Sequence, residues 1–211
     1  GGSAMILPEC RWMWEGVEGA DSVVVNVHKW LGVAFDCTMH LVRDSDLLVR
    51  VMSTNPSYLR SPVDEQVRNY RDWGLPLGRR FRALKFWFLV RDQGVDRLQE
   101  RLRRDLVNAA WLAGQLRATP QWEVLAPVPL QTLCVRHVPP GLDADALDAH
   151  TLRWCEAINR SGQAYLTPAT LGERWMVRVS IGSESTERRH VERLWGIMQQ
   201  AAVASAPTAR T

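Results

Sequence analysis

The spacing of apolar residues changes character twice along the 211-residue chain. Asp21-Ser22-Val23-Val24-Val25-Asn26 holds a short β-branched run without alternation, the pattern of a strand buried on both faces of a parallel sheet. A second strand is predicted over residues 35–42. Residues 43–69, punctuated by Asn55-Pro56-Ser57 and lacking any sustained period, read as mainly loop. From Leu77 the spacing becomes helical: Leu77, Phe81, Leu84 and Phe88 fall four, three and four residues apart, and Gly94 breaks the run. Val95, Leu98, Leu102, Leu106, Ala109, Ala113 and Leu116 form the stripe of a second helix that ends before Pro120. Beyond it lie three strand-like segments, at 122–125, 132–138 and 175–181, the last with Trp175, Val177, Val179 and Ile181 on one face. Helices are predicted at 143–159 and 186–202. The fold class is α/β, with a piece of an α/β domain over residues 1–93 and a connecting helix plus a small α+β domain over 94–211. The Ala/Thr-rich tail after Ala201 is expected to fray.

Composition narrows the function classes. With 46% hydrophobic and 23% charged residues the chain has an ordinary globular balance, and no apolar run approaches the roughly 20 residues of a spanning helix. Gly1-Gly2-Ser3 carries neither an initiator Met nor the features of a signal peptide, and reads as a cut end. The net charge of +3 comes almost wholly from arginine, since Lys29 and Lys85 are the only lysines. Arginine clusters at 79–82, 101–104 and 188–189 are placed to neutralise phosphates, but acidic residues run through the same helices, so solvated faces are the better reading and no nucleic-acid partner is expected. Cys10, Cys37, Cys134 and Cys155 lack metal or disulfide spacing, which suits a reducing cytoplasm. His40, His137, His150 and His190 are scattered and read as structural or surface residues, with no metal site. Arg178, on a strand among apolar residues, is read as one half of a buried ion pair.

The constellation that carries chemistry is Asn26-Val27-His28-Lys29-Trp30, which places an amide, an imidazole and an amine at the carboxyl end of a strand, where open α/β sheets bind ligands. A lysine so placed is partly desolvated, which favours the neutral amine, the form that condenses with an aldehyde. Taken alone, the pentapeptide reads more readily as a surface lysine after a strand beside a packing histidine.

A wider pattern changes that balance. Gly2-Ser3-Ala4-Met5-Ile6-Leu7-Pro8-Glu9, Gly16-Val17-Glu18-Gly19-Ala20-Asp21-Ser22, Asn26-Val27-His28-Lys29-Trp30-Leu31 and Phe35-Asp36-Cys37 resemble, in order, the group II pyridoxal-phosphate decarboxylases of aromatic amino acids. The likeness continues through Tyr70-Arg71-Asp72-Trp73, Leu77-Gly78-Arg79-Arg80-Phe81-Arg82-Ala83-Leu84-Lys85, Tyr165-Leu166-Thr167-Pro168 and Val177-Arg178. The resemblance implies the C-terminal part of the large domain of a type I transferase of the aspartate aminotransferase kind, followed by its small domain. It also implies pyridoxal 5'-phosphate held by Lys29 as a Schiff base, with Asn26 and His28 beside the cofactor phosphate. Val27 stands where the family usually has Pro. Tyr58 matches a loop tyrosine that returns a proton to the substrate carbon after carbon dioxide leaves, although an ordinary loop aromatic remains open for it. Leu77 and Gly78 match residues that approach the substrate of the neighbouring subunit, or simply begin a helix. An aromatic amino-acid substrate and a homodimer follow from the resemblance. The aspartate that partners the pyridine nitrogen and the ring-stacking histidine fall outside the chain, so the chain alone is expected to be inactive. An aldehyde synthase on the same scaffold and a non-catalytic interaction domain are the alternatives, and Tyr58, typically Phe in the synthases, favours decarboxylation.

Overall fold

A computed structural model of the chain describes residues 1–54, 62, 64 and 66–206. It divides into two compact units, Gly1–Gln99 and Glu100–Thr211. Among the described residues no helix is long and apolar enough to cross a membrane.

The first unit opens with short 3-10 turns at Gly2–Ile6, Pro8–Trp14 and Val17–Gly19, then forms strands β1 (Ser22–Val25) and β2 (Met39–Val42). The two strands pair antiparallel, with Ser22 opposite Val42 and Val25 opposite Met39. This corrects the expectation of a parallel strand buried on both faces. Val25 points into a small core with Val27, Leu31, Val33, Cys37 and Leu98, whereas Val24 is 61% exposed on the opposite face. The unbroken valine run is suited to two covered faces, but the described residues of this unit cover only one.

Helix α1 (Ser45–Met52) occupies part of the stretch read as loop. The Asp44 carboxylate accepts hydrogen bonds from the backbone N–H groups of Asp46 and Leu47, satisfying two donors that a helix start leaves open. Helix α2 (Ala83–Ala118) is two helical stretches joined across a kink at Gly94, which adopts φ 72° and ψ 166°, at the break expected there. It begins at Ala83 rather than at Leu77. Gly74, Pro76 and Gly78 lie within five residues of one another and disfavour nucleation, so the helical spacing of Leu77 and Phe81 is not realised there.

The second unit is a four-stranded antiparallel sheet of β3 (Trp122–Val124), β4 (Thr132–His137), β5 (Thr167–Leu171) and β6 (Arg174–Ser180), in the order β3-β4-β6-β5. Helices α3 (Ala144–Ser161) and α4 (Arg188–Ala204) pack with it. β5 had no clear signal of its own. Its Pro168 cannot donate to a ladder, which suits an edge strand, and Gly172 and Glu173, both at positive φ, close the two-residue hairpin to β6. The core sets Trp122 edge-on to Trp154 and Trp195, with ring centroids 5.6 and 5.2 Å apart, above Leu133, Val135, Val177 and Val179. Arg178 lies on the opposite, exposed side of β6, and no buried ion pair involves it among the described residues. Alternation along β6 sends Val177 and Val179 inward and therefore Arg178 outward.

Candidate functional site

β1 ends at Val25, and the chain then turns through residues 26–38 before β2. Apolar side chains pin this turn from inside: Val27, Trp30, Leu31 and Val33 are all buried. Backbone bonds from Lys29 N to Asn26 O (3.1 Å), Gly32 N to Lys29 O (3.0 Å) and Val33 N to Val27 O (3.1 Å) close it. With Val27, Trp30 and Leu31 taking the inward positions, Lys29 projects outward and is exposed. The partial burial expected for its amine is therefore not provided by the described residues of this chain.

The two lysines sit in different surroundings. Lys85, at the start of α2, donates from Nζ to the carbonyls of Ala34 (2.9 Å) and Asp36 (2.8 Å). Lys29 Nζ has no hydrogen-bond or ion-pair partner among the described residues. An ammonium engaged by two carbonyl oxygens is a structural cation, whereas an unengaged amine is available to react.

His28 and Asn26 are held by the far side of the same turn. His28 donates its backbone N–H to Cys37 O (3.1 Å), and its Nδ1 lies 2.8 Å from that oxygen and 3.1 Å from Cys37 N. The ring meets Phe35 edge-on at 5.0 Å. Thr38 Oγ1 donates to Asn26 Oδ1 at 2.7 Å. Both Nδ1 contacts are local to the peptide of Cys37, so Nε2 is the ring nitrogen left over for a ligand. Asp36 pairs with Arg82 (Nε to Oδ2, 3.1 Å), and that hydrogen bond, with the nearby cationic charge, holds the Asp36 carboxyl below the usual range.

Lys29, His28 and Asn26 are thus brought together on one turn. Leu77 and Gly78 lie exposed in the segment before α2, and among the described residues no hydrogen bond ties either to that turn. Tyr58 lies outside the described residues. Sequence reasoning missed the supporting shell of Asp36, Cys37, Thr38, Arg82 and Lys85. For Asp36, Cys37, Arg82 and Lys85 the only signal was membership of the motifs Phe35-Asp36-Cys37 and Leu77 to Lys85, to which no role had been attached, and Thr38 lies in neither. A separate cavity of about 490 Å³ beside β1 and β2 is lined by Ile6, Val17, Val23, Val25, Met39 and Phe86, and neither Lys29 nor His28 reaches it. Its wall is mainly apolar, with Arg43 and Ser22 among the few polar residues on it.

The model of the pyridoxal-dependent decarboxylase conserved domain matches residues 1–138. The chain is 36% identical over 204 residues to tryptophan decarboxylase TDC1 of Camptotheca acuminata, an alignment that covers 95% of this chain and 41% of that protein. It is 37% identical over 212 residues to phenylacetaldehyde synthase of a Rosa hybrid cultivar, covering 96% of this chain and 42% of the relative. A crystal structure of Oryza sativa TDC with PLP and tryptamine superposes at a TM-score of 0.89 with 32% identity, over 96% of this chain and 43% of that one. The chain therefore spans well under half the length of the relatives it matches.

Proposed function

Because the chain belongs to the pyridoxal-dependent decarboxylase family and has the fold of the C-terminal part of its members, we propose that it carries the cofactor lysine of an enzyme that converts an aromatic L-amino acid to its amine. Lys29 is that lysine. One observation carries the assignment: of the two lysines, Lys85 is tied down by two carbonyls, while Lys29 follows β1 with its amine unengaged among the described residues. The residues beside it fit the group. Asn26 and His28 supply a neutral amide and an imidazole nitrogen on the same turn, a suitable pair of neighbours for a phosphate. When bound, pyridoxal phosphate supplies the electron sink that accepts the electrons left as the carboxylate departs as carbon dioxide.

The chain's own groups have narrower tasks. Lys29 Nζ would hold the cofactor, His28 Nε2 and the Asn26 amide would orient it, and Tyr58 Oη would return a proton to the substrate carbon. Leu77 and Gly78 line the aromatic ring pocket of a neighbouring subunit. Phe81, Leu84, Trp87 and Phe88, all exposed on or just before the first half of α2, are the apolar surface on which a homodimer would form. Four cysteines without a disulfide suit a cytoplasmic setting. With Lys29 exposed, the 211-residue chain alone is expected to bind the cofactor weakly and not to turn over.

Likeness to phenylacetaldehyde synthase supports a second reading, oxidative formation of an aldehyde on the same scaffold. Tyr58 favours the simple decarboxylation. The test is borohydride reduction of the chain after addition of pyridoxal phosphate, followed by peptide mapping. A phosphopyridoxyl adduct on the Lys29 peptide, lost in Lys29→Ala, is expected. An unlabelled Lys29 would leave an interaction domain as the better reading. Amine against aldehyde among the products of the full-length enzyme separates the two chemistries.

A further inference from the structure

We propose that Lys85 is a positioning residue for Lys29, acting through the five-residue segment 34–38 that lies between them. The inference rests on the assignment of Lys29 as the cofactor lysine and adds a mechanism for how its turn is held.

Residues 34–38 form a bracket with two sides. On one side it is gripped by the start of α2. Lys85 Nζ reaches Ala34 O and Asp36 O at 2.9 and 2.8 Å, Arg82 Nε reaches Asp36 Oδ2 at 3.1 Å, and Cys37 Sγ lies 3.5 Å from Arg82 O. On the other side it holds the lysine turn. Cys37 binds the His28 backbone and ring, Phe35 packs edge-on against that ring, and Thr38 fixes the Asn26 side chain. Every residue of the bracket is engaged by one side or the other. No hydrogen bond joins Lys29 to it among the described residues, so its direction is set by the backbone of Asn26 and His28, which the bracket anchors.

The chemistry of Lys85 suits this role. Two carbonyl oxygens converging on one point require a donor with several protons on a single atom, which an ammonium provides, and a charged donor makes each bond stronger. Replacing it with an apolar side chain removes both bonds at once and frees the bracket from α2. The Arg82–Asp36 pair is half exposed and contributes less by itself.

The test uses the whole chain. Lys85→Met is expected to lower borohydride-trapped labelling of Lys29 by about tenfold, the order expected when a supporting shell loosens around a reacting group. Lys85→Arg, whose fork can span two carbonyls, is expected to restore labelling to within about twofold of the parent. A second readout needs no cofactor. The ring Cε1–H resonance of His28 shifts in Lys85→Met and stays in place in Lys85→Arg. Parental labelling together with an unmoved His28 resonance in Lys85→Met overturns the proposal. If the parent is not labelled at Lys29, the cofactor assignment fails, and the His28 resonance alone decides whether Lys85 positions the turn. Should Lys85→Met prove unfolded by tryptophan emission, Lys85→Gln takes its place. Its shorter, uncharged amide loses the charged donor that both carbonyls share, and parental labelling with an unmoved His28 resonance in this variant likewise overturns the proposal.

Discussion

His137 on β4 and His150 on α3 face each other in the core of the second unit, with Nδ1 of the first 2.9 Å from Nε2 of the second. His150 Nδ1 lies 3.3 Å from Ser205 O, a carbonyl that can only accept, so that nitrogen carries the proton and Nε2 is left to accept from His137. Protonation of His150 at Nε2 would set two N–H groups against each other and break this arrangement. Burial, with a smaller contribution from His150, pushes His137 down to about 4, and burial lowers His150 as well. Below the ordinary value of 6.5 the unfolded chain takes up these protons before the folded one does. Stability is therefore whole above pH 6.5 and drains as pH falls toward 4, by on the order of 3 kcal/mol. Urea midpoints measured across that range are expected to fall more steeply for the parent than for His137→Gln, which cannot titrate. Parallel profiles would refute the assignment. The sequence marked both histidines as structural or surface residues but not as partners, because thirteen residues of separation carry no sign that a strand and a helix will bring two rings together. The reactive turn was legible for a different reason: its residues are contiguous. What was not legible there was exposure, because which of Val27, Lys29, Trp30 and Leu31 turn inward depends on packing rather than on order along the chain.

Gly94 interrupts α2 with φ 72° and ψ 166°, a conformation that only glycine adopts without strain, and a Cβ built on it would meet no atom within 4 Å. Helix propensity and backbone strain therefore oppose each other at this residue. Gly94→Ala gains about 1 kcal/mol of propensity if the helix straightens, but in the kinked form it costs about 1–3 kcal/mol. The second effect is expected to win, since the kink is built into both flanking segments, and thermal melting should place the variant below the parent. A rise in Tm would mean that the kink is soft. At this scale the sequence was most readable where punctuation was strong: Gly94, Pro120 and the alternation of β6 all fell where elements break or turn. It was least readable in short elements. Helix α1 is eight residues long, so its helical alternation of apolar and charged positions was too brief to stand out beside the capping Asp44. β5 reads Thr-Pro-Ala-Thr-Leu, whose proline argues against a strand until its place at the sheet edge is known.

The two units differ in how completely each covers its own apolar surface. Glu100–Thr211 buries a core that runs from Ala109 to Ala202 and takes in three tryptophans, Leu133, Val135, Ile158 and Met198. Gly1–Gln99 buries about half as many apolar side chains, Trp30 the largest of them, and leaves Val24, Leu75, Phe81, Trp87 and Phe88 exposed. Hydrophobic stabilisation scales with area removed from water, so the second unit has the means to fold by itself and the first does not. Residues 100–211 produced alone are expected to give one cooperative melt with the near-ultraviolet dichroism of packed tryptophans. Residues 1–99 alone should give neither, and should associate as concentration rises, because their exposed aromatic surface exceeds what a monomer ordinarily leaves in water. The intact chain should then unfold in two steps, with the lysine turn lost in the first. A single transition for the whole chain, or a cooperative melt for residues 1–99, would show that the small core around Val25 and Leu98 is stronger than its burial implies. The ordering matters for function: the residues that would hold a cofactor sit in the less stable unit, so a ligand that binds the native turn should raise the first transition and leave the second where it is.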